Sequence, residues 1–167
     1  MFKWIVIWIW ILSVSVTASV GKVFPSWEMM NINKDSFVIP KDIQGKPSIL
    51  YMGFSREGGD VVNQWMDQVV PKLPTQNVNH INIVVGKVPF FVERFIINGF
   101  RDGPYYAQGV QVGLYFEDPS EILKTHPIKP INDVAIIVLS KEGVIIHETG
   151  GEISTQNIKA VLNGAIQ

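Results

Sequence analysis

The chain of 167 residues contains no cysteine. A thiolate is the nucleophile of thiol–disulfide exchange and of thiol-dependent peroxide reduction, so both chemistries are excluded. Disulfide staples are excluded with them, and the fold must hold by packing alone. Charge is also sparse: 14 Lys and Arg stand against 15 Asp and Glu, a formal net charge of −1. Without a basic excess nothing is available to neutralise a row of phosphates, so nucleic acid is not an expected partner. No internal repeat, charge block or low-complexity tract occurs, which sets aside solenoid and disordered architectures. No apolar run reaches the roughly twenty residues that a helix needs to cross a bilayer. The longest, Trp4 to Val16, falls short of that length.

What is present is enough apolar material, 47% of residues, for one ordinary core in one domain. The N-terminus differs from the rest. Lys3 precedes the run Trp4–Val16, and small residues follow at Val16-Thr17-Ala18-Ser19. A basic start, a short apolar stretch and a small-residue exit form the three-part secretory signal, with cleavage expected after Ala18. The rival reading is an uncleaved N-terminal anchor, because apolar character continues to Val20 and Trp4, Trp8 and Trp10 suit a membrane interface. Residues 1–21 are therefore expected to be a signal peptide or anchor, and residues 22–167 the domain. The protein is expected to be exported, periplasmic or secreted. Membrane contact is expected only through the N-terminal segment, if it is retained.

Further along, Phe37 to Pro40 reads as a short strand and Asp42–Pro47 as a turn. Ser48–Phe54 is a compact apolar run of the kind found in a central strand. Polar, glycine-rich Ser55–Asp60 follows. Val61, Val62, Trp65, Met66, Val69 and Val70 then make one helical stripe, ended by Pro71 or Pro74. Asn79–Val85 alternates as a second strand with Ile81, Ile83 and Val85 on one face. Pro89 opens another helix, which Asn98-Gly99 is expected to stop through a left-handed glycine cap. A loop through Gly103-Pro104-Tyr105-Tyr106 leads to a strand over 110–116. A short helix starts at the capping-box-like Asp118-Pro119-Ser120-Glu121 and ends near His126. Val134–Leu139, the turn Ser140–Gly143 and Val144–Glu148 form a hairpin, and Ser154 caps a closing helix. A β-α-β half followed by a β-β-α half predicts an α/β fold, a mixed central sheet with helices on both faces.

That order resembles the thioredoxin-like fold, a three-layer α/β/α sandwich. Asp42-Ile43-Gln44-Gly45-Lys46-Pro47 is similar to the lead-in of peroxiredoxin-like and cytochrome-maturation thioredoxins. Pro130 resembles the proline before the penultimate strand of that fold, though it sits further upstream. Ser140–Gly143 and Gly150-Gly151 resemble its tail. Within residues 89–103, Pro89-Phe90-Phe91-Val92-Glu93-Arg94-Phe95-Ile96-Ile97-Asn98-Gly99-Phe100-Arg101-Asp102-Gly103 resembles a segment of a thioredoxin-like group. That group includes the mitochondrial assembly factor of the ATP-synthase membrane sector and bacterial relatives. The resemblance spans roughly residues 37–165. It implies that Ser55-Arg56-Glu57-Gly58-Gly59-Asp60 stands where the redox families carry their nucleophilic cysteine, between the first central strand and its helix.

Several residues are candidates for a site. Ser55, Arg56, Gly58 and Gly59 form a potential anion- or partner-binding turn, with amides at a helix start and Arg56 as the charged arm. The plainer reading makes Ser55 or Asp60 a helix cap. Arg94 and Arg101 could read a carboxylate or an anionic lipid head group, or simply lie on the polar side of their helix. His147, Glu148 and Glu152 invite a metal reading, but on a strand His147 and Glu148 point to opposite faces and could meet one ion only through a bulge, and no zinc- or copper-like spacing is present. His80 and His126 are isolated in sequence. No nucleophile–base pattern is visible. Tyr105, Tyr106 and Trp65 read as packing and loop aromatics, although a pair of exposed tyrosines would also make good interface anchors.

The reading that follows is a redox-inactive, exported thioredoxin-like protein that acts as a protein-binding or assembly module in the cell envelope. No metal or cofactor is expected, and the partner would be another envelope or membrane protein. The alternative is a cysteine-independent enzyme that uses Ser55–Asp60 as an anion-binding active site. A buried, concave Arg56 would favour the enzyme, and an exposed apolar patch the binding module.

Overall fold

The structure, a computed structural model, describes residues 19–166. The expected cleavage after Ala18 and the tryptophans Trp4, Trp8 and Trp10 lie outside these residues. Seven strands form one mixed sheet in the order β2-β1-β5-β4-β3-β6-β7. They are β1 (Trp27–Asn31), β2 (Ser36–Ile39), β3 (Ser48–Gly53), β4 (Asn79–Val85), β5 (Gln111–Tyr115), β6 (Val134–Leu139) and β7 (Ile145–Gly150). The helices are α1 (Arg56–Val69), α2 (Phe90–Arg101), α3 (Pro104–Ala107), α4 (Pro119–Thr125) and α5 (Thr155–Ile166). Among the described residues no helix is long and apolar enough to cross a membrane.

The two central strands expected to be neighbours are neighbours. β3 pairs antiparallel with β6 from Ser48↔Leu139 to Gly53↔Val134, and both are buried along their whole length. β3, β4 and β5 run parallel, so the connections through α1 and α2 are crossovers of the same hand in the same direction along the sheet. Right-handed crossovers then place α1 and α2 on one face. On that face Ile49, Tyr51, Ile136 and Val138 pack against Val62, Trp65, Met66 and Val69 of α1 and Val161 and Ala165 of α5. The indole Nε1 of Trp65 donates to the carbonyl of Gly151 at 3.0 Å, which ties α1 to the end of β7. Leu50, Met52, Ile81, Ile83 and Ile137 fill the opposite face with Ile122 of α4, Phe24, Ile43 and Ile128. The three-layer α/β/α sandwich expected from sequence is the fold observed.

Three local expectations need correction. β1 was not anticipated. It makes an antiparallel hairpin with β2 (Trp27↔Ile39) and pairs with β5 at Met30↔Leu114, so the sheet gains a strand between β2 and β5. Gly99 does not stop α2. The helix runs to Arg101, the amide of Asp102 still bonds back to Asn98 at 2.9 Å, and the Arg101 guanidinium Nη2 holds the Ile32 carbonyl at 3.2 Å. The expected loop through Gly103–Tyr106 contains the one-turn helix α3, with Pro104 in its first turn. Pro130 follows a trans bond, and the cis peptide bond found among the described residues precedes Pro40. Residues 19–21 lie against β7: buried Ser19 donates its hydroxyl to Glu148, and the Gly21 amide donates to Ile145 at 2.8 Å.

Candidate functional site

The turn after β3 is built around Ser55. Its backbone is extended and its Oγ accepts from the Gly58 amide at 3.0 Å, while its carbonyl accepts from Gly59 at 3.0 Å. Ser55 is thus the N-cap of α1: its Oγ satisfies the Gly58 amide, a donor that the helix start would otherwise leave open, and its carbonyl takes the first bond of the helix. Gly58 faces away from solvent. A Cβ there would lie 2.5 Å from the Asp133 carbonyl, which also accepts from the Phe54 amide at 2.9 Å. Asn132 and Asp133 hold left-handed backbones to make this approach. The segment before β6 therefore closes over the start of α1, in contact with Gly58.

Arg56 is exposed and has no ion pair among the described residues. With Ser55, Gly59, Asp60, Asn63 and Asn82 it borders a hollow of about 170 Å³. Asp60 places a carboxylate in the same hollow, which opposes an anionic ligand. Arg101 is not brought to this turn. It lies at the far end of α2, in a separate depression with Arg94 and Lys34. Of the five residues singled out from sequence, Ser55, Arg56 and Gly59 share one hollow, Gly58 supports it from behind, and Arg101 stands apart.

The larger feature is one that sequence reasoning did not identify. The hollow continues into a cleft of about 610 Å³ between α1 on one side and α2 and α3 on the other. That volume is within the range of small-ligand and peptide sites. Phe95, Ile96, Phe100, Tyr105 and Tyr106 make its apolar walls, and Asn82 lies on its floor. Asn82 sits in the middle of β4 between Tyr51 and Val112, only 4% exposed. Its side chain has no hydrogen-bond partner among the described residues, although both the hollow and the cleft reach it. Its amide therefore opens to the cleft and is free to bond a ligand there, as water does otherwise. Tyr105 fixes the wall: its hydroxyl donates to the Asn63 carbonyl at 3.1 Å and to the Asp67 carboxylate. Burial and that carboxylate together push the Tyr105 phenol well above its ordinary range. Tyr105 and Tyr106, read from sequence as packing and loop aromatics, are cleft residues.

Two histidines also acquire neighbours that spacing does not show. His80 on β4 stacks on Tyr51, takes its hydroxyl at Nδ1 (2.9 Å) and faces the Leu73 carbonyl with Nε2 at 2.7 Å. A carbonyl only accepts, so Nε2 carries the proton. Burial lowers the His80 pKa and raises that of Tyr51. His147 is half-buried beneath Gly164, while Glu148 points to the other face, where it accepts from Ser19 and from the Lys129 amide at 3.1 Å. The two do point to opposite faces. Among the described residues no group of three or more His, Asp or Glu could hold a metal ion.

No protein family profile and no curated protein matches the chain. Solved structures do. The thioredoxin domain of a thiol-disulfide oxidoreductase from Bacteroides vulgatus superposes with a TM-score of 0.60 at 14% identity, covering 86% of this chain and 93% of that one. The exposed lipoprotein thioredoxin of Streptococcus pneumoniae strain TIGR4 gives 0.56 at 18% identity, over 83% and 98%. A candidate electron transfer protein from Aquifex aeolicus VF5 gives 0.61 at 21% identity, over 88% and 94%. Identities this low show the fold alone, and that fold is thioredoxin-like.

Proposed function

We propose that the protein is an exported, redox-inactive member of the thioredoxin-like superfamily that binds a segment of another envelope protein in the cleft between α1, α2 and α3. The observation that carries this reading is Asn82, whose amide opens onto the floor of an aromatic-walled cleft and bonds no protein group among the described residues. An amide both donates and accepts, which is the complement of a peptide backbone. The rigid aromatic walls would hold apolar side chains with little loss of entropy. Export rests on the signal-like residues 1–21, and it agrees with the exposed, lipoprotein nature of the pneumococcal neighbour. An assembly role rests on the resemblance of residues 89–103. The enzyme alternative is weaker, because Ser55 Oγ is already an acceptor in its own turn and Arg56 is exposed beside Asp60.

The test is a photoreactive amino acid placed at Tyr106, on the rim of the cleft, in cells that make the full chain. A discrete protein adduct is expected at Tyr106 and none at exposed Lys159 on α5. Absence of an adduct at Tyr106, or the same adducts at both positions, would count against a cleft partner.

A further inference from the structure

Helix α2 buries one side chain fully, Ile97, and presents three phenylalanines to solvent: Phe90, Phe91 and Phe95 are 83%, 61% and 75% exposed. At about 100° per residue these three share an arc of about 140° with Arg94, Asn98 and Arg101. Glu93, the acid within the helix, falls outside the arc, and the exposed C-cap Asp102 follows Arg101 at its end. Alongside, Lys34 on the β1–β2 turn joins Arg94, Asn98 and Arg101 in lining a depression of about 470 Å³. No acidic side chain lines that depression, and none of the three cations has an ion pair among the described residues.

We propose that this face of α2 rests on an anionic lipid surface. The phenylalanines enter the boundary between head groups and acyl chains, and Lys34, Arg94 and Arg101 hold lipid phosphates in the depression. Exposed aromatics flanked by cations are what an interfacial helix offers a membrane. Charge complementarity selects anionic over neutral lipid. It also argues against a second copy of the chain, because a symmetric pair would set the same three cations against each other. Phenylalanine and arginine are also common at the centres of protein interfaces, so a protein occupant is the outcome that the test below separates from lipid. The face is distinct from the cleft, with which it shares only Phe95 at the rim.

The absence of native cysteine makes a single introduced thiol specific for labelling. Phe91→Cys in the full chain, carrying a polarity-sensitive fluorophore, is to be compared with Gln156→Cys on α5. The vesicles are phosphatidylcholine with or without phosphatidylglycerol, with brominated acyl chains as quencher. The apolar Trp4–Val16 run would associate with either vesicle, so the readout is the environment of the label and not co-sedimentation. A blue shift and quenching are expected at position 91 on phosphatidylglycerol vesicles, with neither at position 156. Raising salt from about 0.1 to about 1 M should reverse the effect at 91. Arg94→Gln should lower the ratio of inserted to free label about fivefold. A label at 91 that stays in water on anionic vesicles overturns the proposal and leaves the face to a protein. Insertion that is equal in neutral vesicles, or indifferent to both salt and Arg94→Gln, overturns recognition of anionic lipid.

Discussion

The carbonyl of Asp133 stands 2.5 Å from the point where a Cβ on Gly58 would be, so the segment before β6 meets α1 through a contact that only glycine permits. This contact lies directly behind the Ser55–Gly59 turn. It predicts that Gly58→Ala destabilises the protein by about 1–3 kcal/mol through overpacking against backbone. Gly59, one residue on, has nothing within 4 Å of its own Cβ position. Gly59→Ala should therefore be neutral or stabilise by up to about 1 kcal/mol, as alanine does in a helix. Urea midpoints of the two variants test the contrast, and equal destabilisation would show that the Asp133 contact is not the cause.

Ser55 occupies an N-cap, which predicts two different outcomes for two substitutions. Ser55→Ala removes the acceptor for Gly58 and should cost about 1 kcal/mol. Ser55→Cys places a thiol at the positive end of α1, where the thiolate is favoured over a free cysteine. Its alkylation by iodoacetamide should titrate below the ordinary thiol value of about 8.5, whereas a cysteine at Gln156 should titrate near it. An unshifted Ser55→Cys thiol would mean that the start of α1 does not stabilise a negative charge at this turn.

The histidines set a pH dependence of stability. Burial lowers the pKa of His80, His126 and His147 and outweighs the neighbours that raise them. The unfolded chain therefore takes up these protons before the folded one does. Stability should be full above the ordinary histidine value of about 6.5 and should fall as pH drops from there through the lower folded values. Urea unfolding at a series of pH values between about 7.5 and 5 should show this decline, and His80→Gln should reduce its slope. A midpoint that rises on acidification through this range would contradict the burial assigned to all three.

The scaffold was readable where one residue pattern decided the outcome. β3 and β6 are buried along their whole length because both faces of the sheet are covered, and α1 shows one clean stripe from Val62 to Val69. β1 was hidden because Glu28 and adjacent Met29-Met30 do not alternate cleanly, and the strand is defined by pairing with β2 and β5. The end of α2 was misjudged because Asn98-Gly99 is a good local stop, whereas a tertiary bond from Arg101 to Ile32 favours two further residues. The candidate site was only partly legible. Ser55 could be read as a cap from its position alone. Asn82 looks like the solvent side of an alternating strand, and nothing local reveals that α1 and α2 enclose that side. Tyr105 and Asp67 meet across 38 positions, and His80 meets Tyr51 across 29, so no spacing rule joins them.

The most direct test of the central claim is the affinity of the full chain for the partner captured at Tyr106, measured with Asn82→Leu and with Arg56→Ala. Leucine keeps the bulk of Asn82 and removes the amide, which leaves the partner's polar groups unpaired. A cleft site predicts binding about tenfold weaker for Asn82→Leu and unchanged for Arg56→Ala. Full affinity in Asn82→Leu, with binding lost in Arg56→Ala, would contradict it and move the functional site to the Ser55–Asp60 turn.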